Sequence, residues 1–359
     1  MTADTDPADT GPASTGPTST HPASTHPAST ESAGSRPAGT GSPGADPADA
    51  AGWGLTEADD RLHPFPPDEP LWTETVWFTW MVPERRLLGY VYPVFRPNLG
   101  VQFGGVTVYD ATAHLPWELP VRHWQQHIPL PELPDLRDAR LADGITLRAV
   151  RPGRTYEIGY TSDELTLDLR YEALMRPLVS GGESDLFAQG GHLDQPGQVT
   201  GTMVLHGEPI AVDCFAIRDR AWGPRRDQRQ RRVGYAYGTA SATEAFLVIT
   251  GPDRHGTDRV WTGYLMRDGV WSPLVTGERQ VDRDSEGRPA TVRITGHDEL
   301  GRALSATGTV VSRMVFTPYP SMFAWCSMTR WDLDGQVCWG EDQDVWSPRR
   351  WRRDMVAAG

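Results

Sequence analysis

The segment Arg218–Arg225 carries the side chains best suited to chemistry. It places Asp219 between two arginines, with Trp222 and Arg225 close behind. Neighbouring positive charge keeps an exposed aspartate ionised because it lowers the pKa, whereas an apolar cavity raises the pKa and can leave a protonated acid. The segment therefore predicts either an ion-paired strand end or a general acid beside an aromatic wall.

Further polar candidates lie outside this segment. Glu341 and Asp342 fall in the last predicted strand, where they could complete a carboxylate pair with Asp219 or form ion pairs with Arg218 or Arg225. Tyr235 and Tyr237 alternate along one strand, which puts both on one face. That face could orient a ligand hydroxyl or carbonyl group, or it could belong to the core.

A β-hairpin positions Asp219. Val199–Leu205 and Pro209–Ile217 alternate in polarity and flank His206-Gly207, which is typical of a tight turn. The alternation stops where the charged residues begin, so we expect them at one end of a sheet. His192 precedes the first strand and is a candidate proton shuttle, though a weaker candidate than Asp219 is for an acid.

The remaining elements are predicted to be short strands. Trp72–Val82, Leu87–Phe95 and Val101–Ala111 are rich in aromatic and β-branched residues and predict an antiparallel meander. Asp268-Gly269 and Asp334-Gly335 lie between apolar runs, as hairpin turns do. No segment shows a sustained helical period. Such an all-β pattern favours barrels or sandwiches, and the interior of a closed barrel is the expected place for a ligand.

The chain divides into a tail and a folded part. Residues 1–52 are dominated by Ala, Ser, Thr, Pro, Gly and Asp, and repeat HPAST at His21–Thr25 and His26–Thr30. Such a segment buries too little apolar surface to offset the entropy of ordering, so we predict a disordered tail. The rest exceeds the usual size of one core and predicts two β-barrel lobes, residues 53–190 and 191–359.

Composition excludes several classes of function. All 34 Lys+Arg residues are arginine, which excludes Schiff-base chemistry, covalent pyridoxal phosphate and a phosphate-loop lysine. A net charge of −13 argues against nucleic-acid partners. No apolar run approaches the ~20 residues that span a bilayer, and no secretory signal is expected. Cys214, Cys326 and Cys338 lack zinc-site spacing and predict buried thiols of a cytoplasmic protein.

Two stretches resemble a known group of proteins. They are HLDQPGQVTGTMVLHGEPIAVDCFAIRDRAWGPR and the closing residues Gly340–Trp346. Both are similar to an uncharacterised bacterial family related to carotenoid 1,2-hydratases (hydroxyneurosporene synthases) and to lipocalin-like Diels-Alderases. The resemblance covers most of residues 60–350 and implies two lipocalin-like antiparallel β-barrels or sandwiches side by side. The hydratases have an Asp followed three residues later by Trp-Gly, which Asp219 and Trp222-Gly223 match here.

The resemblance implies acid-base chemistry on an apolar, alkene-bearing molecule, without a metal or organic cofactor. Asp219 and Glu341 are then the candidate catalytic residues, although Arg220 stands where the hydratase pattern usually has His. Protonating an alkene requires an acid kept neutral in a dry pocket, and aromatic faces can stabilise the resulting cation. The candidates for substrate binding are Trp222, Tyr235, Tyr237, Arg218, Arg225, His192 and Trp346.

Three functions stay open. The first is a cofactor-independent hydratase or cyclase that acts on a terpenoid-like or polyketide-like molecule in a buried cavity. The second is a non-catalytic lipid- or terpenoid-binding protein of lipocalin type. The third is a structural module without a pocket, in which arginines and acids fasten the two barrels together. Lipocalin-like barrels serve catalysis, transport and scaffolding, so the fold does not choose among them.

Overall fold

Two antiparallel β-sheets and a closing helix make up the described chain. The computed structural model describes residues 53, 55, 57–181, 190–225 and 232–358. The predicted all-β class is confirmed. No helix among the described residues is long and apolar enough to cross a bilayer. The tail that we predict to be disordered, residues 1–52, lies outside the described residues.

The first sheet is an open half-barrel of eleven strands. They are β1 (Trp72–Val82), β2 (Leu87–Arg96), β3 (Val101–Tyr109), β4 (Val121–Pro129), β5 (Asp138–Arg140), β6 (Thr146–Arg151), β7 (Thr155–Thr161), β8 (Leu165–Ala173), β9 (Leu178–Gly181), β10 (Gly191–Leu205) and β11 (Glu208–Pro224). Their order is β4-β3-β2-β1-β11-β10-β8-β7-β6-β5, and β9 pairs with β10. The strand β11 therefore lies in the middle of the sheet, between β1 and β10.

The second sheet is a closed up-and-down barrel of eight strands. They are β12 (Arg232–Ser241), β13 (Glu244–Pro252), β14 (Asp258–Arg267), β15 (Val270–Arg283), β16 (Pro289–Asp298), β17 (Ala303–Tyr319), β18 (Met322–Leu333) and β19 (Gln336–Trp346). Closure comes from β19 pairing with β12. Short 3-10 helices span Glu57–Asp60, Pro83–Arg85 and Pro97–Leu99.

The predicted hairpins are confirmed. Leu205 pairs with Glu208 across the turn between β10 and β11. His206 and Gly207 there have φ of 50° and 84°, the left-handed conformation that such two-residue turns require. The Asp-Gly turns at 268–269 and 334–335 also have positive φ at both residues. The meander is confirmed as β1, β2 and β3.

Two boundaries differ from the expectations. The strand β11 does not end at Ile217 but continues to Pro224, because the charged residues pair with β1 on one side and β10 on the other. The hairpin of β10 and β11 thereby belongs to the first sheet, although residues 191–359 were predicted to form the second lobe. The change from half-barrel to barrel falls after Pro224, and the barrel begins at Arg232.

The closing helix was not expected from the sequence. The helix α1 (Pro348–Ala358) follows β19 directly. Ser347 precedes it, and its Oγ accepts a hydrogen bond from the backbone N–H of Arg350 at 3.3 Å. Serine at the N-cap followed by proline at the first helical position favours the start of a helix. The sequence analysis relied on the spacing of apolar residues, which is only weakly helical in this segment, and therefore missed the helix.

The outer face of the half-barrel packs against the outer face of the barrel. The strand β1 is buried along its whole length, whereas β8 alternates between buried and partly or fully exposed residues. On β1, the ring of Phe78 packs on Tyr171 inside the half-barrel at 5.5 Å between centroids. The neighbouring Trp77 points the other way and stacks on Tyr235 of the barrel at 6.4 Å. We call this layer between the two sheets the junction.

The interior of the barrel is filled. All eight strands contribute to one buried apolar cluster, in which Phe246 packs edge-on against Trp331 at 5.2 Å between centroids. Beside the cluster, Nε and Nη2 of Arg279 donate to both carboxylate oxygens of Asp342 at 2.7 Å. Asp344 lies 3.4 Å from the same guanidinium. The barrel interior, where a ligand was expected, is therefore a packed core with a buried ion cluster.

Removing Arg279 should destabilise the protein strongly. The substitution Arg279→Met leaves two carboxylates buried without their shared cation, a loss of about 3–5 kcal/mol. Urea unfolding measures this change in the free energy of unfolding. The matched control Arg293→Met breaks an exposed pair with Asp282 and should lower the stability by less than ~1 kcal/mol. Equal losses in the two variants would contradict a structural role for the buried ion cluster.

Candidate active site

The hairpin register brings three ionisable side chains together at the junction. Asp194 of β10 lies directly opposite Asp219 of β11. His192 is two residues before Asp194 and therefore shares its face of the strand. The distance from His192 Nε2 to Asp194 Oδ2 is 2.9 Å. All three side chains are buried, with Asp219 only 6% exposed.

Burial makes Asp219 an unusually weak acid for an aspartate. Desolvation disfavours its charged form, Asp194 adds negative charge, and together they raise the pKa of Asp219 to about 7 against the opposing charges of His192, Arg225 and Arg218. Burial alone would lower the pKa of His192, but Asp194 and Asp219 raise it overall. Asp219 can therefore exchange a proton near neutral pH.

Aromatic side chains from both sheets cover this cluster. The hydroxyl of Tyr235, on β12 of the barrel, donates to Asp194 Oδ1 at 2.7 Å. The ring of Tyr235 stacks on Trp77 of β1 with an interplanar angle of 15°. Trp77 also contacts Tyr90 and Tyr92 of β2, each at 5.2 Å between centroids. Phenol and indole groups of both sheets thus surround the site.

A cation lies at the edge of the same cluster. Arg225 follows β11 directly, and its backbone N–H donates to the carbonyl of Leu71 at 2.9 Å. Its Nη1 donates to the hydroxyl of Tyr319 at 3.2 Å, and the guanidinium is also hydrogen-bonded to Tyr92. Arg225 and Asp219 lie close enough for each to shift the pKa of the other.

A second buried acid lies at the same junction. Glu341 of β19 accepts a hydrogen bond from the hydroxyl of Tyr109 at 3.0 Å and one from Nε2 of Gln343 at 2.9 Å. Desolvation raises the pKa of Glu341 to about 7, although these two hydrogen bonds oppose the shift. Next to it, the hydroxyl of Tyr237 is 3.1 Å from Thr79 Oγ1. The structure thus brings Glu341, Tyr235 and Tyr237 to the face that Asp219 shares.

The alternation of β11 separates two predicted site residues from Asp219. Arg218 points into the half-barrel, where its Nε donates to Gln195 at 2.6 Å and its guanidinium covers the ring of Tyr156 at 4.5 Å. Trp222 stacks on the ring of His63 at 3.7 Å between centroids. Neither side chain faces the aspartate, because residues one or three positions apart in a strand lie on opposite faces. Both act as packing groups of the half-barrel.

Trp346 and Asp342 also lie apart from Asp219. The indole Nε1 of Trp346 donates to Asp344 at 2.8 Å, and the guanidinium of Arg232 lies 4.7 Å from its ring centroid. Trp351 of α1 packs edge-on against Trp346 at 5.1 Å. Trp346 therefore anchors the helix, and Asp342 pairs with Arg279 inside the barrel rather than with Arg218 or Arg225.

The donor atoms of His192, Asp194 and Asp219 also suit a metal ion. One nitrogen and two carboxylate oxygens lie within 4.8 Å of one another. Such N and O donors bind several divalent cations. In this arrangement, His192 and Asp194 contact each other directly. The expectation that the site needs no metal stays a prediction.

Several site residues were missed by the sequence analysis. Asp194 could have been found, because it lies two residues after His192 in the segment that precedes the predicted strand Val199–Leu205. Trp77, Tyr92 and Tyr319 carried no local signal. They reach the site only because the two sheets pack against each other, which the pattern of a single strand does not encode.

Comparison with known families finds one match. Residues 56–343 match a family defined by a domain of unknown function, DUF7064. The chain belongs to this family. No curated protein sequence matches the chain.

Solved structures show a related fold. A proposed AttH protein from Nitrosomonas europaea superimposes with a TM-score of 0.51 and 13% identity, over 80% of this chain and 95% of that one. Kievitone hydratase from Nectria haematococca superimposes with a TM-score of 0.42 and 10% identity, over 77% of this chain and 88% of that one. At these identities the likeness concerns the fold alone.

The raised pKa of Asp219 predicts a specific pH dependence of stability. The folded protein keeps the proton up to pH about 7, whereas the unfolded chain releases it near pH ~3.9. The stabilisation from this group is therefore complete below pH ~4 and is lost as the pH rises through about 7. Urea unfolding should show that wild type loses about 2 kcal/mol more than Asp219→Asn between pH 5 and 8.

A matched control separates this effect from general charge effects. Asp213 lies on the same strand with an exposed side chain. The substitution Asp213→Asn should leave the pH dependence of wild type unchanged. If Asp219→Asn behaves like Asp213→Asn, the carboxyl of Asp219 is ionised throughout this range and the assignment is wrong.

Proposed function

We propose that the protein is a cofactor-independent hydratase or cyclase that acts on an apolar, terpenoid-like or polyketide-like molecule, with Asp219 as general acid. The observation that carries the proposal is the burial of the Asp219 carboxyl opposite Asp194, which raises its pKa to about 7. An ordinary aspartic acid, with a pKa of ~3.9, is protonated in only about one molecule in a thousand at pH 7. Asp219 is protonated in about half, which suits proton donation near neutral pH.

The proposed reaction begins with proton transfer from Asp219. The π electrons of the alkene form a new C–H bond with the proton, the O–H bond of Asp219 breaks, and a cation remains on the other alkene carbon. In a hydratase, water then adds its oxygen to the cation and releases a proton. In a cyclase, a second double bond adds to the cation, and a C–H bond finally breaks to release the proton. The released proton restores the acid, so the cycle balances without a redox cofactor.

His192 is the proposed carrier of that proton. Its ring lies against Asp194 at 2.9 Å, and its charge influences the pKa of Asp219. A base beside a carboxylate can take a proton from water or carbon and return it to the acid. Asp194, held by the hydroxyl of Tyr235, would fix the orientation of the imidazole.

Aromatic faces support the cationic step. Trp77 and Tyr235 form a stacked pair beside the carboxylates, and Tyr90 and Tyr92 flank the indole. The negative face of an aromatic ring attracts a cation by roughly 0.5–2 kcal/mol, and more strongly where water is excluded. These ring faces would thus stabilise a carbocation formed beside Asp219, and they are weaker nucleophiles than water.

Glu341 is the second acid of the proposed site. Its pKa is also raised to about 7, and it lies within electrostatic range of Asp219. The hydrogen bonds from Tyr109 and Gln343 occupy both of its oxygens. We therefore assign proton donation to the less constrained Asp219, and to Glu341 the positioning of Tyr109 at the junction.

The substitution Asp219→Asn should abolish turnover without unfolding the protein. The amide keeps the size of the carboxyl group but carries no acidic proton. The assay uses lipid extracted from the purified protein under denaturing conditions, or geranylgeraniol as a defined alkene, in D₂O buffer. Mass spectrometry detects deuterium in the product or in recovered alkene. We expect wild type to incorporate deuterium, and Asp219→Asn to incorporate at least ~10²-fold less.

Controls distinguish catalysis from binding alone. Circular dichroism checks the fold of each variant, and Asp213→Asn should retain full incorporation. Glu341→Gln should retain at least part of the activity if Glu341 is a positioning residue. A wild-type protein that binds the extracted lipid but never incorporates deuterium is a lipid-binding protein of lipocalin type, and the proposal is then wrong.

The rate should fall at alkaline pH. The active form of Asp219 is the protonated one, so the rate should be highest below pH about 7 and decline as the pH rises above it. The pH profile of kcat under saturating alkene measures this dependence. A rate that rises with pH through this range would show that Asp219 acts as a base instead.

A further inference from the structure

One oxygen of the buried Asp194 carboxylate accepts no hydrogen bond. The side chain is fully buried, and its Oδ1 accepts the hydroxyl of Tyr235 at 2.7 Å. No group in the described part of the chain donates to Oδ2, and the contact of 2.9 Å with His192 Nε2 lacks the N–H···O alignment of a hydrogen bond. A buried carboxylate oxygen normally has a donor, because desolvation without one costs free energy. The position of Oδ2 therefore indicates a binding partner that is not part of the chain.

The hairpin places two more donor groups next to this oxygen. Asp219 lies directly opposite Asp194, and His192 shares their face of the sheet. One donor atom from each of the three side chains lies within 4.8 Å of the other two. Because all three residues stand on paired strands, their backbone positions are set before any ligand binds. No other group of three histidine, cysteine or carboxylate donors lies this close among the residues that the structure describes.

The spacing of these atoms matches the coordination sphere of a transition-metal ion. Zinc lies ~2.0–2.2 Å from imidazole nitrogen and carboxylate oxygen. Two donors at that distance, and at about 90–110° to each other around the ion, are separated by roughly 3–3.5 Å. The 2.9 Å between His192 Nε2 and Asp194 Oδ2 is close to this separation. Two donors that face a common point instead of each other would also lack hydrogen-bond alignment, as this pair does.

The chemistry of the donors selects the class of cation. Metal ligands are deprotonated, so two aspartates and a neutral imidazole present a formal charge of −2, which a divalent ion neutralises. Directly opposed carboxylates repel each other, and a shared cation removes that repulsion. Imidazole favours zinc and its first-row neighbours, whereas magnesium and calcium prefer oxygen donors alone.

We propose that His192, Asp194 and Asp219 bind one first-row divalent cation such as Zn²⁺. Tyr235 supports the site from outside, because its hydrogen bond to Oδ1 holds the carboxylate of Asp194 in place. The metal site goes beyond the proposed function, and only its effect on catalysis rests on that function. A cation on the carboxylate of Asp219 takes the place of the transferable proton, so Zn²⁺ should inhibit proton donation. The ion is then an inhibitor of the enzyme and not a cofactor.

Binding of Zn²⁺ to the full chain tests the site directly. The purified protein is treated with a chelator, dialysed, and titrated with ZnCl₂ or MgCl₂ by isothermal titration calorimetry. We expect wild type to bind Zn²⁺ at least ~10-fold more tightly than Mg²⁺. His192→Ala should weaken Zn²⁺ binding by more than ~100-fold, since even outer-shell partners contribute ~10–100-fold. Tyr235→Phe removes only the outer-shell hydroxyl and should weaken Zn²⁺ binding by about tenfold.

The matched control is His123→Ala. His123 also contacts a carboxylate, with 2.7 Å between its Nε2 and Oε2 of Glu164, but it belongs to no group of three donors among the described residues. Its removal should leave Zn²⁺ binding unchanged. Circular dichroism checks the fold of each variant. If His192→Ala fails to fold, Tyr235→Phe decides the test, because it keeps the ring that stacks on Trp77.

Each outcome supports or overturns the inference. No Zn²⁺ binding by wild type, or equal binding by wild type and the folded variants, overturns it and leaves the proposed function standing. Zn²⁺ binding that requires His192 and stops deuterium incorporation supports both proposals. Zn²⁺ binding at His192 that leaves incorporation unchanged, or that incorporation requires, supports the metal site and contradicts the proposed role of Asp219 as a cofactor-independent acid.

Discussion

Burial of the central strand β1 of the half-barrel on both of its faces is the constraint on which the rest of the structure depends. Once the barrel covers the outer face, each polar side chain there has to find its partner within the protein, because water no longer supplies one. Asp194 accepts from Tyr235, and Glu341 accepts from Tyr109, in each case between the two sheets. The packing that stabilises the junction also withholds water from Asp219 and Glu341, which is why their pKa values are raised to about 7.

The polar clusters of the molecule divide into two kinds. Inside the barrel, Arg279 lies against Asp342 and Asp344, so the buried cation has acidic partners beside it. At the junction, the charge of Asp219 is not constant, because its carboxyl exchanges a proton near pH 7 beside Arg225. Unequal compensation costs stability, and proteins concentrate it where a group has to react or bind.

The strands and turns could be predicted because the residues of each segment favour that conformation by themselves. His206-Gly207 and the Asp-Gly pairs carry the conformational preference of a hairpin in the residues themselves. The same logic singled out Asp219 and Glu341, but it grouped Trp222 with Asp219 because they are near in sequence, although alternation separates them. The aromatic cover and the state of the acid depend on contacts between distant strands, so the sequence of one segment could not reveal them.

The hairpin of β10 and β11 links the site to a turn at its far end. Asp194 and Asp219 are equally distant from that turn, one before it and one after it, and this equality is what sets them opposite each other. The length of each arm is therefore as much a determinant of the chemistry as the residue types are. Insertions that extend both arms by the same length would keep the pair opposite each other, whereas a single residue added to one arm would turn its carboxylate into the half-barrel.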